Sequence, residues 1–172
     1  MSYVALGVDP GLIRTGWALV EYDGPCNMRY IDSGVVETAS HEKLSSRLEK
    51  IHHGISDVIE KAGPSIAVLE KVFVNSNPYS SLNLAYCRGA LILTLALKGL
   101  CIIEFAPSVL KKRVTGNGRA TKAQVKYMVE QLLGLDSCLS KYSDLYDALA
   151  LAASVTRHDI MEAKSMRAHF SD

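Results

Sequence analysis

Cysteine is scarce and scattered in this 172-residue sequence: Cys26, Cys87, Cys101 and Cys138 are the only four, and no two form a CxxC pair. Zinc-ligand spacings are therefore missing, and nothing suggests the disulfide framework of a small secreted protein. No serine sits in a GxSxG elbow and no GxxxxGK[ST] loop is present. Serine-hydrolase and P-loop nucleotide chemistry are thereby excluded. His41, His52, His53, His158 and His169 fall at no spacing that pairs them for a metal or a nucleophile. Long apolar runs are missing too. The longest, around residues 90–97, is far shorter than the ~20 residues needed to span a bilayer, and no basic leader precedes the first apolar run before Asp9, Pro10 and Gly11 break it. A cytoplasmic protein without membrane contact is the expectation. There is no internal repeat, and at 48% hydrophobic and 22% charged residues the chain has the composition of one ordinary globular domain.

Positive and negative charges nearly cancel, 19 Lys and Arg against 18 Asp and Glu. Their distribution is uneven. Between residues 109 and 126 stand Lys111, Lys112, Arg113, Arg119, Lys122 and Lys126, with no acid among them. Such a patch neutralises phosphates and releases counterions, the dominant sequence-independent contribution to DNA binding; the plainer alternative is a solvated helix face. Gly116-Asn117-Gly118, inside the patch, adds backbone amides that can approach a phosphate closely.

Residues 3–8, 15–22 and 28–37 read as three strands, the first two a hairpin around the Asp9-Pro10-Gly11 turn signal. Leu44, Leu48, Ile51, Ile55, Val58 and Ile59 follow helical spacing up to Gly63-Pro64. Residues 65–69 form a short apolar strand running into Glu70, 82–97 a helix, 100–105 a strand, and 120–133 and 142–156 two more helices. This order predicts an α/β domain, a mixed five-stranded sheet with helices on both faces, over residues 1–157, followed by a short polar tail at 158–172. Helix 82–97 is apolar on nearly every side, so one sheet cannot bury it. It is either a central core helix or a two-fold dimer interface.

Asp9 and Glu70 each end a strand, and Asp144 and Asp147, three apart on a helix, share one face. Singly, each has an ordinary explanation as a turn residue, a solvated carboxylate or a helix-dipole partner. Together, at strand ends meeting a helix terminus, four hard oxygen donors form a set suited to Mg²⁺ or Mn²⁺.

Gly7-Val8-Asp9-Pro10-Gly11, Thr15-Gly16, Leu69-Glu70-Lys71-Val72-Phe73, Arg88-Gly89, Lys122-Ala123-Gln124-Val125 and Asp144-Leu145-Tyr146-Asp147-Ala148-Leu149-Ala150 occur in an order and spacing that closely resembles the RuvC family of Holliday-junction resolvases. The resemblance runs from Leu6 to about Val155. It implies a ribonuclease-H-like fold, a homodimer and nicking of opposed strands of a four-way DNA junction, with a branch-migration motor as a possible partner. It also implies catalysis with two Mg²⁺ per subunit, Mn²⁺ substituting. Asp9, Glu70, Asp144 and Asp147 match the family carboxylates that hold the metals, with Asp at a helix position where some relatives have His. Lys111 and Lys122 match lysines near the scissile strand, and Phe73 an aromatic that stacks on an unpaired base at the junction centre. Lys112, Arg113 and Arg119 complete the expected DNA-binding set, and Arg14 receives no catalytic role. Two alternatives remain. One is a related ribonuclease-H-like nuclease acting on another branched DNA or on RNA; the other is an actin-like nucleotide-binding module, which needs a second phosphate loop and lobe that this chain is too short to hold.

Overall fold

Side-chain alternation in the strands decides which layer each residue serves. In β1 (Ser2–Asp9), Leu6 and Val8 face one layer and Ala5 the other, so Gly7 and Asp9 fall on the side of Ala5. β1 pairs antiparallel with β2 (Arg14–Asp23), and β2 antiparallel with β3 (Met28–Glu37), the register shifting between Leu19 and Val20. β4 (Ile66–Glu70) runs parallel to β1, and β5 (Cys101–Phe105) parallel to β4. The sheet order is β3-β2-β1-β4-β5, the five-stranded mixed sheet expected. The structure is a computed structural model and describes residues 2–24, 27–71, 78–135 and 143–168.

Two helices cover one face. α1 (Leu44–Ala62) buries Ile51, Ile55 and Ile59, spaced one turn apart, and stops where Gly63 takes φ 57° and donates its N–H to Ile59. α2 (Pro78–Leu97) lies beside it, burying Cys87, Leu91, Thr94 and Leu95. On the other face lie α3 (Pro107–Thr115), α4 (Lys122–Leu133), α5 (Ser143–Ala153) and α6 (Arg157–Ala168), contributing Leu110, Val125, Leu149 and Ile160 to a second core. Thr121 and Gln124 form a reciprocal capping box that fixes where α4 begins, and thus where Lys122 stands. Cys87 and Cys101 are buried in opposite layers; Cys26 and Cys138 lie outside the described residues.

Three elements differ from expectation. α3 was not foreseen because it buries only Leu110 and Val114, too few for a periodic signal within a basic run. Residues 158–172 are not simply a polar tail: α6 docks on β5 and buries Ile160. α2 begins at Pro78, which gives it the length and composition of a membrane-crossing helix, longer than the stretch at 90–97 suggested. Its middle carries Arg88, ion-paired with Glu104 of β5, and its buried side packs on α1 and the sheet. Those contacts make it a layer of this domain.

Candidate active site

The last paired residues of β1 and β4 are Val8 and Leu69. One step further along each strand come Asp9 and Glu70, on adjacent strand ends. Alternation aims both at α5: Ala5 and then Asp9 in β1, Ile66, Val68 and then Glu70 in β4. α5 lies unusually close to the sheet. A Cβ at Gly7 would stand 2.1 Å from the Ala148 carbonyl oxygen and 2.6 Å from the Ala152 nitrogen, and one at Gly16 would stand 2.2 Å from the Asp144 carbonyl oxygen. Only glycine lets the helix backbone rest there. Tyr22 secures the other end of the helix, its hydroxyl donating to the Ala152 carbonyl at 2.7 Å. This packing brings Asp144, in the first turn of α5, and Asp147, one turn on, over the ends of β1 and β4.

Asp9, Glu70 and Asp147 line a cavity of about 260 Å³ together with Lys111, Lys122, Pro107, Leu110 and Val125. Asp144 is turned toward Arg14, whose Nε lies 2.9 Å from Asp144 Oδ2. Negative charge is crowded here. Burial, and then repulsion from Asp147, Asp144 and Glu70, pushes Asp9 up to about 7, with Lys122 acting against the shift. Glu70 is raised by burial and by Asp147, against the pull of Lys122 and Lys111. Lys122 Nζ donates to Asp147 Oδ2 at 2.9 Å, and this bond raises the lysine in turn.

Among the described residues no three acidic, histidine or cysteine side chains converge as a finished metal cage; two of the carboxylates are instead engaged by Lys122 and Arg14. The donor set nevertheless suits a hard divalent cation. All four groups are carboxylates, burial and then the neighbouring acids drive Asp9 toward protonation, and Asp144 Oδ2 is buried with no aligned hydrogen bond. Asp9, Glu70, Asp144 and Asp147 are the residues able to hold it.

The other residues singled out from sequence are divided. Lys111 and Lys122 reach the cavity, while Lys112 on α3 and Arg119 in the turn before α4 are exposed. Gly116, at φ 78°, closes α3 by donating to Lys112, and Asn117 Oδ1 accepts from the Arg119 N–H, so this loop serves helix termination. Phe73 lies outside the described residues. Arg113 turns away from the cavity. It lies over the Phe105 ring at 4.1 Å from its centroid, donates to the Ser154 carbonyl and grips both oxygens of Asp159 on α6. Burial works to raise Asp159, but the hydrogen bonds from Arg113 and Thr156 outweigh it and hold the carboxyl below its ordinary value. That contribution to stability is present above the ordinary carboxylate range and is lost as pH falls through the depressed value. Arg113→Ala is expected to cost about 1–3 kcal/mol at neutral pH and less in acid, read by urea melts at both, because it removes the guanidinium from the Ser154 carbonyl and leaves Asp159 with the Thr156 donors alone.

Two contributors had no sequence signal. Arg14 is one. The other is the brace formed by Arg47 and Thr38, both buried, which donate to the Leu12 carbonyl and hold the turn after Asp9. A buried arginine on an otherwise apolar helix face was the only available hint.

The family described as Crossover junction endodeoxyribonuclease RuvC matches residues 5–155. The RuvC crossover junction endodeoxyribonuclease of Neorickettsia sennetsu is 88% identical over 164 residues, covering 95% of this chain and 99% of that one. Its counterpart from Ehrlichia chaffeensis is 40% identical over 147 residues, 86% of this chain and 92% of that one. Among solved structures, Thermus thermophilus RuvC in complex with a Holliday junction substrate superposes with a TM-score of 0.86 at 27% identity, covering 94% of this chain and 97% of that one.

Proposed function

Because this chain belongs to the RuvC family, whose fold is ribonuclease-H-like, we propose that it is a structure-specific endonuclease that resolves four-way DNA junctions by nicking two opposed strands. The observation that carries this reading is the meeting of Asp9, Glu70 and Asp147 at a cavity lined also by Lys111 and Lys122, with Asp144 one turn before Asp147 on the same helix. Mg²⁺ held by the four carboxylates would supply the Lewis-acid charge that activates water and steadies the leaving 3′-oxygen. Lys111 and Lys122 hold phosphate oxygens at the cavity and keep a duplex backbone from being repelled by the acids. Exposed Lys112 and Arg119 extend this positive surface along the DNA, and Phe73 retains the base-stacking role that family resemblance gives it. Work beside a branch-migration motor rests on the family resemblance, and a cytoplasmic location on the sequence reading.

The test is cleavage of a synthetic four-way junction beside duplex, flap and RNA substrates, with Mg²⁺, with Mn²⁺ and with chelator. Paired nicks in the junction only, and only with metal, are expected. Preferential cutting of flaps or RNA would transfer the chain to the alternative nuclease reading.

Resolution requires two sites related by a two-fold axis, and α2 offers the surface for it. Tyr79, Leu82, Tyr86, Leu93 and Leu97 are all exposed and fall at spacings of three, four and seven residues, forming one stripe opposite the buried Cys87, Leu91 and Leu95. The helix is therefore apolar twice over, once for the core and once for a second copy. Leu93→Glu is expected to halve the mass measured by light scattering and to abolish coordinated nicking while the melting temperature stays close to that of the isolated subunit. A dimeric Leu93→Glu protein would move the interface elsewhere.

A further inference from the structure

Each carboxylate of α5 is engaged by a cation of the chain itself, Asp147 by Lys122 and Asp144 by Arg14. The second pair has the geometry of a latch. The backbone around Arg14 is held from several sides: Thr15 Oγ1 donates to the Gly11 carbonyl at 2.9 Å, the Ile13 carbonyl accepts from Thr38 N–H at 2.9 Å, and Arg47 Nη2 reaches the Leu12 carbonyl at 3.1 Å. From this fixed base extends a side chain that is 44% exposed, against 25% for Asp144. The guanidinium is thus the more exposed partner of the pair. Asp144 Oδ2 is itself buried and, despite the 2.9 Å approach of Nε, receives no aligned hydrogen bond. The pair is therefore held by charge rather than by directed bonding, which makes it exchangeable.

We propose that Arg14 is a resident counter-ion of Asp144 that competes with the divalent cation, so that the affinity of the DNA-free site for metal is set partly by this arginine. This rests on the four-carboxylate reading given under the proposed function. With the site apo, Arg14 offsets the charge crowded onto α5. A cation arriving at the site takes Asp144 from this ion pair. By reciprocity, whatever draws Arg14 away, a phosphate oxygen included, tightens metal binding.

Mn²⁺ binding to the full chain without DNA, followed by the electron paramagnetic resonance signal of the free ion, tests this without recourse to cleavage. Arg14→Gln is expected to bind Mn²⁺ roughly 3–10-fold more tightly than the unmodified chain, the range set by a partly exposed ion pair. Arg14→Lys, which keeps the charge but not the reach, falls between. Arg29→Gln removes one positive charge from a pair with Glu21 that is remote from the site, and its affinity stays unchanged. In an Asp144→Asn background Arg14→Gln shifts the affinity by less than about twofold, because the two changes act on one interaction. An unmodified chain that binds Mn²⁺ together with an Arg14→Gln chain of equal or weaker affinity overturns the latch alone. Uptake of Mn²⁺ by neither chain overturns the metal-site reading and the latch with it.

Discussion

Asp9→Asn is expected to leave a four-way junction uncut while making the metal-free protein more stable at alkaline pH. The first half follows from charge. Asp147, Asp144 and Glu70 all act on Asp9, and without its carboxylate the site would lose one of the four groups that would hold the cation. Several kcal/mol of transition-state stabilisation disappear, which lowers the nicking rate roughly 10³-fold or more. The second half follows from linkage. In the folded chain Asp9 titrates at about 7 rather than 3.8, so between those values the native state keeps a proton that the unfolded chain releases. Stability then falls as pH rises through this window and carries the full penalty above it. Asparagine removes that penalty. The gain at pH 8 is on the order of 2–4 kcal/mol and vanishes near pH 4. Thermal melts in chelator at the two pH values read the second half, and junction cleavage with Mg²⁺ reads the first. Wild-type cleavage by the variant would remove Asp9 from the metal site. An unchanged melt at pH 8 would mean that Asp9 is neither desolvated nor repelled as placed.

The second large effect is expected at Gly7, which carries no chemistry. An added methyl group meets the Ala148 carbonyl oxygen at 2.1 Å and the Ala152 nitrogen at 2.6 Å. Both are backbone atoms of α5, so no side chain can turn aside to make room. Gly7→Ala must lift the helix off β1, at a cost of about 1–3 kcal/mol as for other overpacked cores. For a chain of this length that is a fall of roughly 2–12 °C in melting temperature. Asp144 and Asp147 ride on the displaced helix while Asp9 and Glu70 stay on the sheet. A misplacement of ~1 Å costs on the order of 10²-fold in rate, so activity measured well below the new melting temperature should fall by about that factor. A variant that melts lower but cuts normally would show that α5 tolerates displacement. Gly16, under the Asp144 carbonyl oxygen at 2.2 Å, should behave alike.

The legibility of this site in sequence depends on how local its causes are. Asp9 and Glu70 could be placed because an apolar strand run ends abruptly at each, and Asp144 and Asp147 because a spacing of three has one meaning on a helix. The five strands were readable for the same reason. Arg113 was assigned to the DNA-binding patch by its neighbours Lys111 and Lys112, yet its partner Asp159 lies 46 residues away on a helix that the polar composition of 158–172 concealed. Arg14 carries no catalytic role in the sequence reading. Its pairing with Asp144 exists only because β2 and α5 are packed together through Gly16. Charge runs and periodicity report which face of an element is wet, but not which distant residue will come to neutralise it. Gly7 and Gly16 fall between these cases: both stood within recognisable motifs, but the helix they admit could not be named before the fold was known.

The dense packing of α5 on β1 and β2 also bears on amide hydrogen exchange. A helix laid on strand glycines, with Ala148, Ala150 and Ala152 buried, has no way to open by fraying alone. Its central amides should exchange only through global unfolding, alongside those of β1. α3 and α4, which carry the lysines, are less deeply seated and should exchange through smaller openings. The acids and the lysines would then belong to different cooperative units: a rigid acidic floor that persists until the whole chain unfolds, and a basic wall able to breathe around DNA without disturbing it.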